Sequence, residues 1–387
     1  MKVLVISHTY CEWASRAKWR VLAAQYQPLQ LRVITPLSWP TIKESVISRP
    51  ESDQSLVVAP QYAYWTGDEA CHWFPRLFKE IYTFQPDIIH VETGSISLTL
   101  LQSLMTLPLL KKKPRILFFT WVNWLQKFTG RARIYNVIER FNLHGVDGAI
   151  FGNNDAQYLF TTQKKFSGKS VVIPQIGTDP QVFAPALELE AARRAYDITN
   201  PQTFVIGFAG RLVPEKGVQD LLNALTLLPL EIQKNIEVLL AGGGAYESEL
   251  RRLAAQQGAA RIRFVGPLTH AQMPNFFKAL DLFVLPSFDI PTWKEQFGQV
   301  LVQAMLTKVG VVASTGGEIP HVVGDTGLIF TQRNIQQLAE HLERMYRQPE
   351  LRKAYAQKGY ERAQLLFSDA AIARRTYQFW NELLETR

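Results

Sequence analysis

Short apolar runs alternate with longer helical patterns along nearly the whole chain of 387 residues. In the first half, the runs that predict strands are 2–7, 31–35, 87–91, 115–119, 148–151 and 170–173. In the second half, they are 204–209, 237–241, 262–265, 282–285, 310–313 and 328–330. Most of these runs lack strict alternation, which is typical of parallel strands buried on both faces. The pattern therefore predicts an α/β protein built from doubly wound parallel sheets.

The length of the chain indicates more than one domain, because a single hydrophobic core stops growing at about 250–300 residues. Proline and turn residues concentrate between residues 174 and 201, where Pro174, Gly177 and Pro180 precede a charged helix. We predict an N-terminal domain at 1–185, a second domain at 186–367, and a C-terminal helix at 368–387 that packs back on the first domain. Two such domains facing each other would place the carboxyl ends of both sheets across one cleft, where ligands bind.

The formal charge of +8 is concentrated in the first half of the chain. Residues 1–180 contain 20 Lys and Arg against 13 Asp and Glu, whereas residues 181–387 contain 22 against 21. A basic first half suits an anionic lipid surface, an anionic acceptor or nucleic acid. An ordinary solvated surface explains the same excess equally well.

Three features bear on the compartment. The N-terminal MKVLVIS lacks the long apolar region of a signal peptide. Two cysteines, Cys11 and Cys71, form neither a CxxC pair nor a disulfide framework, which suits a reducing compartment. The uncharged stretch 93–110 is interrupted by serines, threonines and a proline, so we expect a half-buried helix rather than a membrane span. We predict a cytoplasmic protein.

Several common motifs are incomplete. Gly242, Gly243 and Gly244 follow a strand, but Glu247 occupies the place of the third glycine of a dinucleotide-binding turn. The segment Gly168-Lys169-Ser170 lacks the opening glycine of a phosphate-binding loop and runs into a strand. There is no Asp-x-Asp, no HExxH and no GxSxG, so the sequence indicates neither a metal site nor a serine nucleophile.

Two segments of the second half combine a buried strand with polar residues at its carboxyl end. FVIGFAGRLVPEKG (204–217) carries Arg211 and Lys216, two cations that suit a diphosphate, although a solvated loop would carry such cations too. DLFVLPS (281–287) is followed by TWKEQFGQVLVQAM (292–305), in which Glu295 is predicted to begin a helix. The unpaired amides of that first turn could hold phosphate or sugar oxygens.

These segments resemble the catalytic domain of family 4 glycosyltransferases, retaining enzymes of the GT-B fold that use a nucleotide diphosphate sugar. The matching segments occur in the order of the family, and they are GRLVPEKG, AGGGAYESEL, RFVGPL, DLFVLPS, KEQFGQVLVQAM and STGGEIPHVVGDTGLIF. The first half is similar more loosely, through PDIIHVE and VIPQIGTDPQVFAP. The resemblance implies an acceptor-side first domain and a second domain that binds the nucleotide sugar.

Carried over by position, the resemblance implies that Arg211 and Lys216 neutralise the donor diphosphate beside the turn at Gly210. Fixed cations and amides would stabilise the charge of the leaving diphosphate, so neither a metal nor a cofactor other than the donor is implied. The implied partners are a nucleotide-sugar donor, a glycan or lipid-linked acceptor and an anionic membrane surface, and not nucleic acid.

The resemblance also assigns the helix after DLFVLPS. Glu295 would accept hydrogen bonds from the sugar hydroxyls, with the amides of Phe297 and Gly298 near the sugar and the phosphate. Position 303 would accept bonds from the ribose, where relatives have a glutamate and this chain has Gln303. A neutral amide oxygen weakens that bond by about 1 kcal/mol, or about fivefold in donor affinity.

The first domain departs from the family pattern. SHTYCEWASRAKW replaces a glycine-rich turn, and its Arg16, Lys18 and Trp19 either contact ligand or decorate a helix. The histidine that many relatives carry after the strand ILFFT is absent, and His90 is either a catalytic residue of the cleft or a structural histidine. Two alternatives therefore stay open: a non-catalytic sugar-nucleotide-binding paralogue in a polysaccharide assembly complex, and a sugar-nucleotide epimerase of the same fold.

Overall fold

The computed structural model describes residues 1–41, 45–53, 55–125, 128–185, 189–256 and 258–385. The chain divides into two compact units, of which unit 1 comprises Met1–Gly177 and Asp369–Arg387, and unit 2 comprises Thr178–Ser368. The predicted domain boundary between residues 185 and 186 adjoins residues 186–188, which lie outside the described part.

Unit 1 is built on a twisted, mostly parallel sheet. Its strands are β1 (Lys2–Ile6), β2 (Gln30–Pro36), β3 (Ser38–Pro40), β4 (Ser45–Ile47), β5 (Glu51–Ser52), β6 (Leu56–Gln61), β7 (Ile88–Val91), β8 (Arg115–Thr120), β9 (Gly148–Phe151) and β10 (Lys169–Val172). The described strands of the main sheet follow the order β10-β9-β8-β7-β1-β2-β6-β5, in which β5 alone is antiparallel to its neighbour, and β3 and β4 form a separate antiparallel pair.

Helices cover both faces of this sheet, as its buried strands require. Those of the first 177 residues are α1 (Ala17–Gln25), α2 (Leu77–Phe84), α3 (Leu98–Thr106), α4 (Ile134–Gly145) and α5 (Asn154–Tyr158). The stretch 93–110 contains α3 and a short 3-10 turn, and within the described residues no helix is long and apolar enough to cross a membrane.

Unit 2 contains a fully parallel sheet. Its strands are β11 (Phe204–Ala209), β12 (Ile236–Ala241), β13 (Arg261–Gly266), β14 (Leu282–Leu285), β15 (Gly310–Ser314) and β16 (Leu328–Phe330), in the order β13-β12-β11-β14-β15-β16. Its helices are α6 (Leu189–Arg194), α7 (Val218–Thr226), α8 (Leu230–Gln233), α9 (Glu247–Ala255), α10 (Met273–Lys278), α11 (Gln299–Leu306), α12 (Ile319–Val323), α13 (Ile335–Arg347) and α14 (Pro349–Phe367).

The direction in which strands are added reverses between β11 and β14 in unit 2. In open α/β sheets a ligand crevice lies outside the carboxyl ends of the two strands at such a point. The two strands pair in parallel, with Ile206 opposite Leu282, so the segments that leave them begin side by side. The corresponding reversal in unit 1 lies between β1 and β7, where Val3 is opposite Ile88.

The last helix, α15 (Asp369–Glu385), belongs to unit 1. Trp380 of this helix stacks on Trp19 of α1 with 5.9 Å between the ring centroids, and Tyr377 stacks on Tyr26 at 4.0 Å. The helix thereby completes the core on one face of the unit 1 sheet, as the predicted fold class requires.

Candidate functional site

The carboxyl ends of β11, β14 and β15 carry the residues that the sequence predicts to bind a donor. Close packing of the connecting segments there depends on glycine. Gly217 has a left-handed φ of 72°, and a Cβ at this position would lie 2.0 Å from the carbonyl oxygen of Pro286. The segment after β11 therefore touches the segment after β14 directly, backbone against backbone.

Lys216 and Glu295 form an ion pair across this contact. Lys216 Nζ lies 2.6 Å from Glu295 Oε2, and the same oxygen accepts a hydrogen bond of 3.0 Å from Ser287 Oγ. The ammonium also lies 4.7 Å from the ring centroid of Trp293, a distance that permits a cation–π interaction. The other oxygen of the carboxylate, Oε1, accepts no hydrogen bond from the described residues. One oxygen of Glu295 thus holds the pair and the other is available to a ligand.

The turn after β15 fixes the backbone of Glu295. Gly317 has a φ of 47°, and a Cβ there would lie 2.2 Å from the carbonyl oxygen of Glu295. The amide of Glu318 donates a 3.0 Å hydrogen bond to that carbonyl, and the amide of Gly317 donates one of 2.9 Å to Asp289 Oδ1. The backbone that carries the Glu295 carboxylate is therefore held by the turn at 317–318, which is distant from it in sequence.

The helix predicted to begin at Glu295 begins later, and this part of the prediction is wrong. Gly298 takes a left-handed φ of 73° and caps α11, whose first residue is Gln299. Glu295 and Phe297 consequently lie in the preceding loop, where Phe297 is buried against the ring of Phe367 at 5.5 Å. The orientation of Glu295 is set by this loop rather than by helical periodicity.

Gln303 lies inside α11 and its side chain is almost fully buried. Its Oε1 atom receives no hydrogen bond from the described residues, while its main-chain carbonyl accepts from Thr307. A buried acceptor without a donor costs about 1–3 kcal/mol. A hydroxyl group from a ligand would remove that cost.

Gly210 and Arg211 directly follow β11. The amide of Gly210 donates to the carbonyl of Ala241 at 3.0 Å, which ties the ends of β11 and β12 together. The side chain of Arg211 is exposed and makes no ion pair with any described residue. It is a guanidinium whose donors are open to an anion.

Of the predicted residues in unit 2, the structure brings Lys216 and Glu295 into contact and places Gly210 and Arg211 on the same edge of the sheet. Ser287 and Trp293 were not predicted from the sequence. Ser287 is the last residue of the quoted segment DLFVLPS, and Trp293 lies two positions before Glu295, so each was next to a recognised motif.

His90 lies in unit 1, on β7, in a buried polar cluster. Glu92 Oε1 lies 2.9 Å from Lys18 Nζ, and Glu92 Oε2 accepts hydrogen bonds from the Tyr10 hydroxyl and, at 2.9 Å, from Gln175 Nε2. We call Tyr10, Lys18, His90, Glu92 and Gln175 the unit 1 polar cluster. All five side chains are shielded from solvent in the folded chain.

Burial controls the protonation of this cluster. It lowers the pKa of His90 to about 4, because the charged ring would be desolvated and would also meet the charge of Lys18. Nε2 of His90 lies 3.4 Å from Glu92 Oε1, yet the ring makes no hydrogen bond with the described residues and is neutral near pH 7. Burial opposes ionisation of Glu92, but the charge of Lys18, the neighbouring His90 and the hydrogen bonds from Tyr10 and Lys18 together outweigh it and lower the pKa of the carboxyl group.

The surroundings of His90 are those of a structural residue. Its ring meets the rings of Trp19 and Trp380 edge to face, with centroids 6.0 and 5.9 Å away. The catalytic role of His90 stays a prediction. Among the described residues, no group of three or more His, Cys, Asp or Glu side chains could hold a metal ion.

The chain is similar to known glycosyltransferases. Residues 192–362 match the family model described as glycosyl transferases group 1. A D-inositol 3-phosphate glycosyltransferase of Corynebacterium efficiens is 32% identical over 222 residues, which cover 55% of this chain and 50% of that protein. A GDP-mannose-dependent monoacylated alpha-(1-6)-phosphatidylinositol monomannoside mannosyltransferase of Corynebacterium glutamicum is 32% identical over 192 residues, covering 47% and 49%. The chain spans about half the length of the curated relatives it matches.

Solved structures resemble the whole chain. HepE of Anabaena, determined in complex with UDP, has a TM-score of 0.70 and 17% sequence identity over 99% of this chain and 100% of its own. At this identity, the likeness shows the fold. Together, these matches confirm the predicted fold class and the resemblance read from the ordered segments between residues 204 and 330.

Proposed function

We propose that this chain, whose residues 192–362 match the family model of glycosyl transferases group 1, moves a sugar from a nucleotide diphosphate sugar to an acceptor hydroxyl. The observation that carries the proposal is the Lys216–Glu295 ion pair at the reversal point of the unit 2 sheet. It puts an ammonium and a carboxylate with one open oxygen where a ligand of an α/β sheet binds. A nucleotide diphosphate sugar would use the ammonium for its phosphates and the carboxylate for its sugar hydroxyls.

The diphosphate would be held by cations. An ammonium has three N–H donors, so Lys216 can keep its bond to Glu295 while donating to a phosphate oxygen. Arg211 would supply a second charge from the end of β11. When the bond between the anomeric carbon and the phosphate oxygen breaks, the diphosphate leaves with its electron pair, and these fixed charges stabilise it without a metal ion.

The sugar would be held by the carboxylate. Glu295 Oε1 would accept hydrogen bonds from the sugar hydroxyls, while Oε2 stays bound to Lys216 and Ser287. The acceptor oxygen forms the new bond to the anomeric carbon with retention of configuration, and its proton passes to the phosphate oxygen that leaves. Gln303 would receive a ribose hydroxyl at its unpartnered Oε1.

The acceptor we propose is a glycan or a lipid-linked precursor, reached in the cytoplasm at the inner face of a membrane. One relative supports it by name, since it is called a phosphatidylinositol monomannoside mannosyltransferase. The excess of 20 basic over 13 acidic residues in positions 1–180 supports an anionic surface as partner.

Calorimetry with UDP, GDP, ADP and their sugars tests the proposal and identifies the base. We expect one nucleotide to bind, followed by transfer or slow hydrolysis of its sugar that persists in EDTA. Binding without turnover of any donor would identify a non-catalytic sugar-nucleotide-binding protein instead. An epimerase would be identified if the donor sugar were converted into a different sugar without any acceptor present and without hydrolysis of the donor.

Replacing Lys216 with alanine is expected to weaken binding of the nucleotide diphosphate and of the nucleotide sugar alike, each by about tenfold or more. The reason is the loss of a hydrogen bond between charged groups, worth about 1.5–3 kcal/mol. Calorimetry measures both affinities. Lys234→Ala, an exposed lysine of the same unit, is the control, and unchanged affinity for both ligands in the Lys216 variant would refute the assignment.

Glutamate at position 303 is expected to raise donor affinity about fivefold, because a carboxylate accepts the ribose bond more strongly than an amide does. The same Gln303→Glu change is expected to lower thermal stability without donor, since the new charge is buried. Gln303→Ala should instead weaken donor binding. Equal affinity in all three proteins would show that position 303 does not contact the donor.

A further inference from the structure

One face of α4 exposes an apolar stripe. Ile134, Val137 and Phe141 are 55%, 64% and 53% exposed, although each is a large apolar residue. Their spacing of three and four residues places them in one row along the helix. The opposite face is anchored, because Glu139 Oε1 accepts a 2.5 Å hydrogen bond from Ser95 Oγ. The stripe is therefore left uncovered by unit 1 itself.

Basic side chains border this stripe. At about 100° per residue, His144 lies about 50° and Arg140 about 90° from the centre of the stripe, on the same side. Arg131 and Arg133 precede the helix and are exposed. Within the described ranges, the side chains of these three arginines make no ion pair. The helix thus presents an apolar row with an unneutralised cationic edge.

A groove continues the cationic edge away from the stripe. It has a volume of about 370 Å³ and lies between α4 and the loop 164–168, with Arg140, His144, Lys164 and Lys165 in its wall. Lys164 is neutralised by Glu139 at 2.6 Å, but the exposed Lys165 has no acidic partner in the described part of the chain. The groove suits a phosphate-bearing headgroup.

We propose that this face, consisting of Ile134, Val137, Phe141, Arg133, Arg140 and Lys165 and here called the α4 face, docks unit 1 on an anionic phospholipid bilayer. The apolar row enters the boundary between headgroups and acyl chains, and the cations contact lipid phosphates. The inference rests on the proposed action at a membrane and names the surface that would make the contact. Because the α4 face is cationic, we expect it to bind anionic lipid more strongly than neutral lipid.

Another exposed aromatic group fits this partner less well. Tyr62, Tyr64 and Trp65 are also exposed and contact one another, but Asp68 and Glu69 follow them directly. Carboxylates beside an apolar surface are repelled by anionic headgroups. Charge complementarity therefore favours the α4 face over this aromatic group.

Vesicle flotation of the full chain tests the inference, using phosphatidylcholine alone or mixed with phosphatidylglycerol. We expect binding to the anionic vesicles only, weakened by added salt. Arg133→Gln with Arg140→Gln should weaken it about 30-fold, at about 1 kcal/mol per arginine. Val137→Gln with Phe141→Gln should weaken it by about tenfold or more. All four positions are exposed, so the variants are expected to fold.

Matched controls separate the α4 face from general charge and apolarity. Arg76→Gln with Lys79→Gln removes two exposed charges from α2 and its N-terminus, and Leu227→Gln with Leu230→Gln removes two exposed leucines from unit 2. The inference would be overturned if the controls lost as much vesicle binding as the α4 variants did, or if the unaltered protein did not bind vesicles. It would also be overturned if the α4 variants instead broke a dimer of the protein. Nucleotide affinity, measured in the same variants, should stay unchanged and reports on the proposed function separately.

Discussion

Glutamine in place of Glu295 is expected to lower sugar transfer about 100-fold while raising the affinity for free nucleotide diphosphate about fivefold. Transfer falls because the sugar hydroxyls lose a charged acceptor, worth up to about 3 kcal/mol. Diphosphate affinity rises because the negative charge of Glu295, 2.6 Å from Lys216, no longer offsets the ammonium charge that meets the phosphate. We take this offset as worth about 1 kcal/mol, since both side chains keep some contact with solvent.

The opposite signs distinguish this role from simple damage to the site. Steady-state kinetics give the loss of transfer, and calorimetry gives the affinity for the nucleotide diphosphate. Glu215→Gln is the matched control, because it makes the same chemical change next to Lys216 at a side chain that makes no hydrogen bond or ion pair with a described residue. A Glu295 variant that lost transfer and diphosphate affinity together would contradict the proposed division of labour between the two oxygens.

Much of the sheet architecture could be predicted from the sequence. Strands 148–151, 204–209, 282–285 and 328–330 have the bounds expected for them, because glycine, proline or aspartate delimits buried apolar runs. The strand β6 was missed because Pro60 lies inside it, and proline argues against a paired strand. The short pair β3 and β4 was missed as well, since Pro40 ends a segment of only three residues.

The pairing of site residues could be anticipated, but the details of their geometry could not. Lys216 and Glu295 are 79 positions apart, and they meet because they follow strands that are neighbours at the reversal of the sheet. The late start of α11 depends on the left-handed conformation of Gly298. A glycine permits helical and left-handed conformations alike, so the sequence could not decide between them.

The pairing of Lys18 with Glu92 in the unit 1 polar cluster was not anticipated. Arg16 and Lys18 were expected either to contact ligand or to decorate a helix, and the structure buries both of them. Lysine is rarely buried unless it is paired, and the partner of Lys18 is Glu92, 74 positions away. No local pattern reports a contact at that separation, so only the fold reveals it.

Methionine in place of Lys18 is expected to destabilise unit 1 by about 3–5 kcal/mol, a large fraction of the stability of an ordinary domain. The substitution keeps an unbranched side chain against the ring of Trp19, now 4.3 Å from the ammonium, so packing changes little. It leaves the carboxylate of Glu92 buried without its countercharge. Urea unfolding measures the loss, with tryptophan fluorescence as the probe, because eight of the nine tryptophans belong to unit 1.

Removing the second charge is expected to restore most of that stability. In Lys18→Met with Glu92→Gln, neither charge of the buried pair is left, and the amide at position 92 can still bond to Tyr10 and Gln175. The free energy of unfolding of the double variant should therefore lie within about 1–2 kcal/mol of that of the original protein. Lys112→Met breaks an exposed pair with Asp87 and should cost less than about 1 kcal/mol. If the losses of stability in the two single variants simply added in the double variant, lost packing would be the cause of the destabilisation. A recovery in the double variant would instead assign it to the uncompensated charge of Glu92.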